Sequence, residues 1–152
     1  MEQVSRYGMI AARFLVAMVF LLNATGIVDQ SVAARELAEH GAPPDLVPFL
    51  MLVGRSVELI GGLALVLGIF PRIAAIALIG FLVPATLTAH AFWAADGAQA
   101  FTAQLVNFLK NIAMIGGLLF IASAGDQPTL VPRIRGSIDD TSVFGTRRKT
   151  QV

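Results

Sequence analysis

Residues 54–72 read GRSVELIGGLALVLGIFPR, and this stretch decides how the chain folds. It belongs to an apolar run from about Leu46 to Phe70, long enough to cross a hydrocarbon core that takes about 20 helical residues. Glu58 falls near the middle of that run. A charge at such a depth costs around 3 kcal/mol on insertion scales, so it needs partners on other helices. Gly54, Glu58, Gly61, Leu65 and Gly68 recur at helical spacing and share one face. Small residues so placed let a second helix approach closely, which puts Glu58 on a packed face. Arg55 stands one turn before it.

Three further apolar runs accompany this one, so spans are expected at about 7–28, 46–70, 73–93 and 104–124. The fold class is therefore an all-α integral membrane four-helix bundle. Composition agrees: charged residues are 14% of the chain, against roughly a quarter in soluble domains. Mean hydropathy is strongly positive. A net charge of +1 gives no reason to expect nucleic acid as a partner. The absence of cysteine removes disulfides, thiol exchange, cysteine-ligated metals and iron–sulfur clusters. Neither a metal site nor a resident cofactor is evident.

Outward from the second span, the connecting segments take distinct roles. Arg13 inside the first run, with no clear small-residue cleavage site, argues for a retained helix and not a signal peptide. Asn23-Ala24-Thr25 matches a glycosylation sequon but lies in or at the edge of the membrane, so it is set aside. Residues 29–45, with Val32, Leu37, Arg35, Glu36 and Glu39, suit a short extracytoplasmic amphipathic helix stopped by Gly41 and Pro43-Pro44. Pro71-Arg72 is expected to form a tight turn, and 94–103 a polar link. Pro84 is expected to kink the third span. Residues 1–125 form the membrane domain, and 126–152 a basic cytoplasmic tail. One side of the membrane holds Arg6, Arg72, Arg133 and Arg135, the other only Arg35. Both termini are accordingly expected in the cytoplasm.

The candidate ligand-binding residues are Arg13, Arg55, Glu58, His90, Asn107, Lys110 and Asn111. Depth at about 1.5 Å per residue puts Glu58 roughly 18 Å below the outer face, Lys110 roughly 9 Å and His90 roughly 5 Å. Arg13 enters from the inner side with a side chain long enough to reach toward Glu58. Each has a plainer reading. Arg13 and Glu58 can be a structural ion pair, His90 a hydrogen-bonded core histidine, and Asn107 and Asn111 ties between helices. Lys110 can snorkel to the surface, Trp93 can sit in the interfacial aromatic belt, and His40 can be solvated in the outer loop. No residue is singled out as catalytic.

Taken together, these residues resemble the DoxX family of small bacterial membrane proteins. The likeness rests on Arg13, the Gly41-Ala42-Pro43 turn, and Val57 through Gly62. Gly68-Ile69-Phe70-Pro71-Arg72, His90-Ala91-Phe92-Trp93 and Asn107 through Asn111 with Gly116-Gly117 complete it, over roughly residues 6–125. The resemblance implies a four-helix protein of the bacterial inner membrane. Some relatives are linked to quinone-dependent sulfur oxidation, others to assemblies handling oxidative or thiol stress.

Three functions are therefore expected, in order. The first is a redox-associated subunit, accessory to a quinone-linked oxidoreductase, whose polar pocket binds a quinone or similar lipid-soluble ligand. The second is a non-catalytic scaffold for redox or stress-response partner proteins. The third is a small transporter or proton relay with Glu58 as its gated group, which needs a homo-oligomer to line a path.

Overall fold

The computed structural model describes residues 2–27, 31–39, 41–124 and 129–130. Among these residues the elements are all helical: α1 Glu2–Ala24, α2 Ser31–Glu39, α3 Val47–Leu67, α4 Pro71–Ala89 and α5 Ala98–Ser123. Short 3₁₀ turns at Pro44–Leu46 and Phe92–Ala94 precede α3 and follow α4. Four stretches are long and apolar enough to cross a membrane: Arg6–Ala24, Pro44–Leu67, Pro71–Ala94 and Ala98–Ser123. The all-α four-helix architecture expected from the sequence is the one observed. His40, residues 125–128 and the basic tail beyond Leu130 lie outside the described residues.

The helix boundaries correct the hydropathy reading on all four spans. α3 stops at Leu67 because Gly68 takes a left-handed conformation, φ 73°. Its N–H then bonds to Leu65 O at 3.3 Å and that of Ile69 to Ala64 O at 2.9 Å, closing a Schellman cap. Pro71 is not in the turn but opens α4, where a missing N–H costs nothing and the fixed φ fits a helix. The polar link expected at 94–103 is largely the first turns of α5, which begins at Ala98. α1 likewise starts at Glu2 and ends at Ala24, before a turn at Gly26 with φ 77°. α4 runs on through Pro84.

α1 packs mainly on α3, α3 on α4 and α4 on α5, and a lighter contact between α1 and α5 closes the ring. α2 lies against α3 and α4 at the end away from the 68–70 turn. The fully buried apolar side chains include Ala17 and Phe20 of α1, Leu65 of α3, Leu78 of α4, and Leu118 and Ile121 of α5. Several sit within two turns of the helix ends at the 68–70 turn. There Arg72 donates from Nε and Nη2 to Ala124 O at 3.0 and 2.7 Å, capping α5 with a cation. Exposed Phe14, Leu15, Ile60, Ile76, Leu119 and Phe120 cover the outside, as fits helices whose solvent is lipid. Asn23, Arg55, Glu58 and the hollow space lie in the half nearer α2.

Candidate functional site

Helix α3 sets the site. Gly54, Glu58, Gly61, Gly62 and Leu65 are its buried stripe. Gly62 faces α1, where an added Cβ would meet Leu21 Cδ2 at 2.9 Å and Ala17 O at 3.6 Å. Gly54 and Gly61 face α4, against Phe81 and Leu78. This close packing fixes the α1–α3 register and brings Asn23 level with Glu58. Asn23 Nδ2 donates to Glu58 Oε1 at 3.2 Å, so the buried carboxylate has an amide partner on the neighbouring helix.

Arg13 is elsewhere. It stands ten residues before Asn23 on α1, roughly 15 Å along the axis, too far for the expected pairing with Glu58. Its side chain is completely buried, and Nε, Nη1 and Nη2 have no hydrogen-bond partner among the described residues. The ion pair expected between Arg13 and Glu58 is therefore corrected by the helix register. Arg55, half-buried, is the cation beside Glu58, with Nη2 lying against Gly26 and a buried Nε that has no partner among the described residues.

Arg55 and Glu58 form part of the wall of a cavity of about 540 Å³ between α2, α3 and α4. Leu50, Gly54, Phe81, Pro84 and Ala85 contribute apolar surface, and Ala33 and Leu37 of α2 complete the lining. The size is that of ordinary small-molecule sites, roughly 300–1,000 Å³. A mostly apolar hollow with one guanidinium and one carboxyl group suits a neutral molecule that offers an acceptor to Arg55 and a hydroxyl to Glu58.

Of the other four candidates, His90 and Asn111 belong to a separate seam between α4 and α5, and Asn107 and Lys110 meet each other on α5. His90 Nδ1 stands 3.0 Å from Gln104 Oε1, a hydrogen bond that joins the end of α4 to α5. Asn111 Nδ2 donates to buried Thr86 Oγ1 at 3.0 Å, and that hydroxyl donates to Leu82 O at 2.6 Å. Lys110 is exposed and only 3.5 Å from Asn107 Oδ1. No α5 residue is among those lining the cavity. The seven candidates thus separate into Arg55 and Glu58 at the cavity, His90 and Asn111 at the α4–α5 seam, Asn107 with Lys110 on α5, and Arg13 alone. Trp93 is exposed and joins Phe92, Phe101 and Phe108 in an edge-to-face aromatic group.

Two side chains were missed by sequence reasoning. Asn23 was set aside as a sequon, yet it continues the stripe Arg13, Val16 and Phe20. Gln104 shares the face of Asn107 and Asn111 at i, i+3 and i+7. Among the described residues, no group of three or more histidine, aspartate or glutamate side chains could hold a metal ion.

The family model described as DoxX matches residues 8–91, a span that contains α2, α3, α4 and every residue lining the cavity. Inner membrane protein YqjF of Escherichia coli (strain K12) is 25% identical over 135 residues, covering 88% of this chain and 96% of its own. Inner membrane protein YphA of the same strain is 25% identical over 118 residues, covering 77% of this chain and 82% of its own. No solved structure matches the chain significantly.

Proposed function

The chain belongs to the DoxX family, and from that premise we propose that it is a redox-associated subunit of the bacterial inner membrane whose α2–α3–α4 cavity binds a quinone or similar lipid-soluble carbonyl compound. The observation that carries this reading is the placement of Arg55 and Glu58 together in the wall of an otherwise apolar cavity. A ligand carbonyl that meets the guanidinium there would gain a charge-assisted hydrogen bond, stronger than a neutral one. Glu58, held by Asn23, would take the hydrogen bond of a ligand hydroxyl in the reduced form. A bound quinone would supply the two-electron chemistry, with electrons exchanged through a partner protein. This chain's own part is to hold the head group, orient it and keep water away.

Purification in mild detergent followed by lipid mass spectrometry tests the reading. A stoichiometric quinone is expected with the native protein and is expected to be lost from a Glu58→Gln protein that elutes as a folded species. Bulk lipid alone in the native protein, or quinone kept by Glu58→Gln, would sink it.

A scaffold role is the second reading. The pairs Asn23–Glu58, Thr86–Asn111 and His90–Gln104 each tie two segments of the bundle and use the polar groups for packing. It gains ground if a soluble enzyme co-purifies where no quinone does.

We place both termini in the cytoplasm and α2 outside, on the distribution of arginines across the connecting segments. The lack of native cysteine makes this simple to check. With a membrane-impermeant maleimide on intact cells, Asp96→Cys should be labelled and Ser142→Cys should not. The reverse pattern refutes the orientation.

A further inference from the structure

A second hollow, about 360 Å³, lies on the outer surface between α3 and α4. It shares Val53, Val57 and Ala77 with the cavity, so the two adjoin across these three side chains. From there it follows Leu52, Ser56 and Ile60 along the lipid-facing stripe of α3. Leu52 and Ile60 are exposed. Ser56 Oγ donates back to Leu52 O at 2.8 Å, so the one hydroxyl in the groove is already satisfied and the surface it offers is apolar. Gly61 ends the groove, where Leu78 closes on α3. On the other side of the cavity, Ala33 and Leu37 of α2 separate it from the surface at which α2 lies.

We infer that the ligand is a membrane-resident amphiphile with one long apolar chain, which enters sideways between α3 and α4 and leaves its chain in this groove. The inference rests on the cavity reading above and adds the chain, its path and its exclusion of small water-soluble substrates. Three features carry it: the shared lining residues, the apolar groove opening to lipid, and the helix across the opposite mouth. The polar wall at Arg55 and Glu58 takes the head, and the groove takes the tail. The tail then runs toward the bilayer interior, where it costs no desolvation.

The test uses the full-length protein in phosphatidylcholine nanodiscs with two probes. One is a decyl-benzoquinone carrying a diazirine at the chain end; the other is a chainless benzoquinone measured by equilibrium dialysis. Photolabelling is expected to concentrate on the α3 peptide at residues 52–60 and to be displaced by excess unlabelled decyl-benzoquinone. Ser56→Phe fills the groove but does not line the cavity. It should reduce that labelling about tenfold while chainless binding stays within about twofold. Ile60→Trp, at a lipid-exposed position, should do the same and guards against a folding defect in the first variant. Labelling spread evenly over the lipid-facing helices, or unaffected by both variants, overturns the groove while chainless binding that depends on Glu58 keeps the cavity reading. Failure of the chainless quinone to bind overturns both.

Discussion

Replacing Arg13 with methionine is expected to stabilise the folded protein by about 2–3 kcal/mol. The native side chain is wholly buried, and none of its three nitrogens has a partner among the described residues. A buried cation in that state gains nothing to offset its desolvation, whereas a methionine of similar length fills the space with apolar atoms. Arg13→Ala should fall below Arg13→Met, because it leaves a void beside the core. The distance to Glu58 adds a second expectation. Sites more than about 10 Å apart with no shared partner behave additively, so Arg13→Met combined with Glu58→Gln should equal the sum of the singles within about 0.5 kcal/mol. An ion pair would show strong coupling instead. Reversible unfolding in detergent, followed by helical circular dichroism, measures all four proteins. A methionine variant less stable than the native protein would mean that the guanidinium is satisfied in the membrane by a bound anion or water, and the expectation would fail. Quinone retention should be unchanged in Arg13→Met, which separates this residue from the cavity.

The packed face of α3 was legible in the sequence because a single helix's periodicity contains it. Gly54, Glu58, Gly61 and Leu65 are buried as the spacing implies. The partner of Glu58 was not legible, because helix register is not a property of one helix. An apolar α1 can slide past α3 by whole turns without changing its own pattern, and only the fit of Gly62 against Leu21 and Ala17 fixes the level. That level favours Asn23 over Arg13. Reading the polar residues as one cluster failed for a related reason. Depth places His90, Asn107, Lys110 and Asn111 in the same half of the membrane as Glu58, but depth says nothing about azimuth. α4 turns Thr86 toward Asn111 of α5, while Ala85 of α4 lines the cavity. Helix ends were misplaced because hydropathy reports where lipid would be, not where the backbone stops being helical. α5 therefore runs six residues ahead of its expected apolar start, and a Schellman cap ends α3 three residues before its apolar run does.

The largest loss of stability is expected from Gly61→Val, at about 3 kcal/mol. A Cβ at Gly61 would lie 2.8 Å from Leu78 Cγ and 2.9 Å from its Cδ2. Leu78 is fully buried, so its branch point can turn away only by displacing the side chains packed around it. The helices must then separate, and the whole α3–α4 seam loses contact. Gly62→Ala should be milder, since its Cβ meets the half-buried Leu21, whose end can rotate. Gly54 differs again. Its Cβ would lie 2.9 Å from Phe81 Cε2, and that ring borders the cavity and has room to swing into it. Gly54→Ala should accordingly fold while losing quinone, which makes it a probe of the site and not of packing. Gly80 and Gly116, with nothing within 4 Å of an added Cβ, provide the control: alanine there should be neutral or slightly stabilising. Unfolding midpoints for the five variants should therefore rank Gly61→Val lowest and the two controls highest. A Gly61→Val protein as stable as Gly116→Ala would mean that α3 and α4 do not meet at this residue, and the cavity between them would lose its geometric basis.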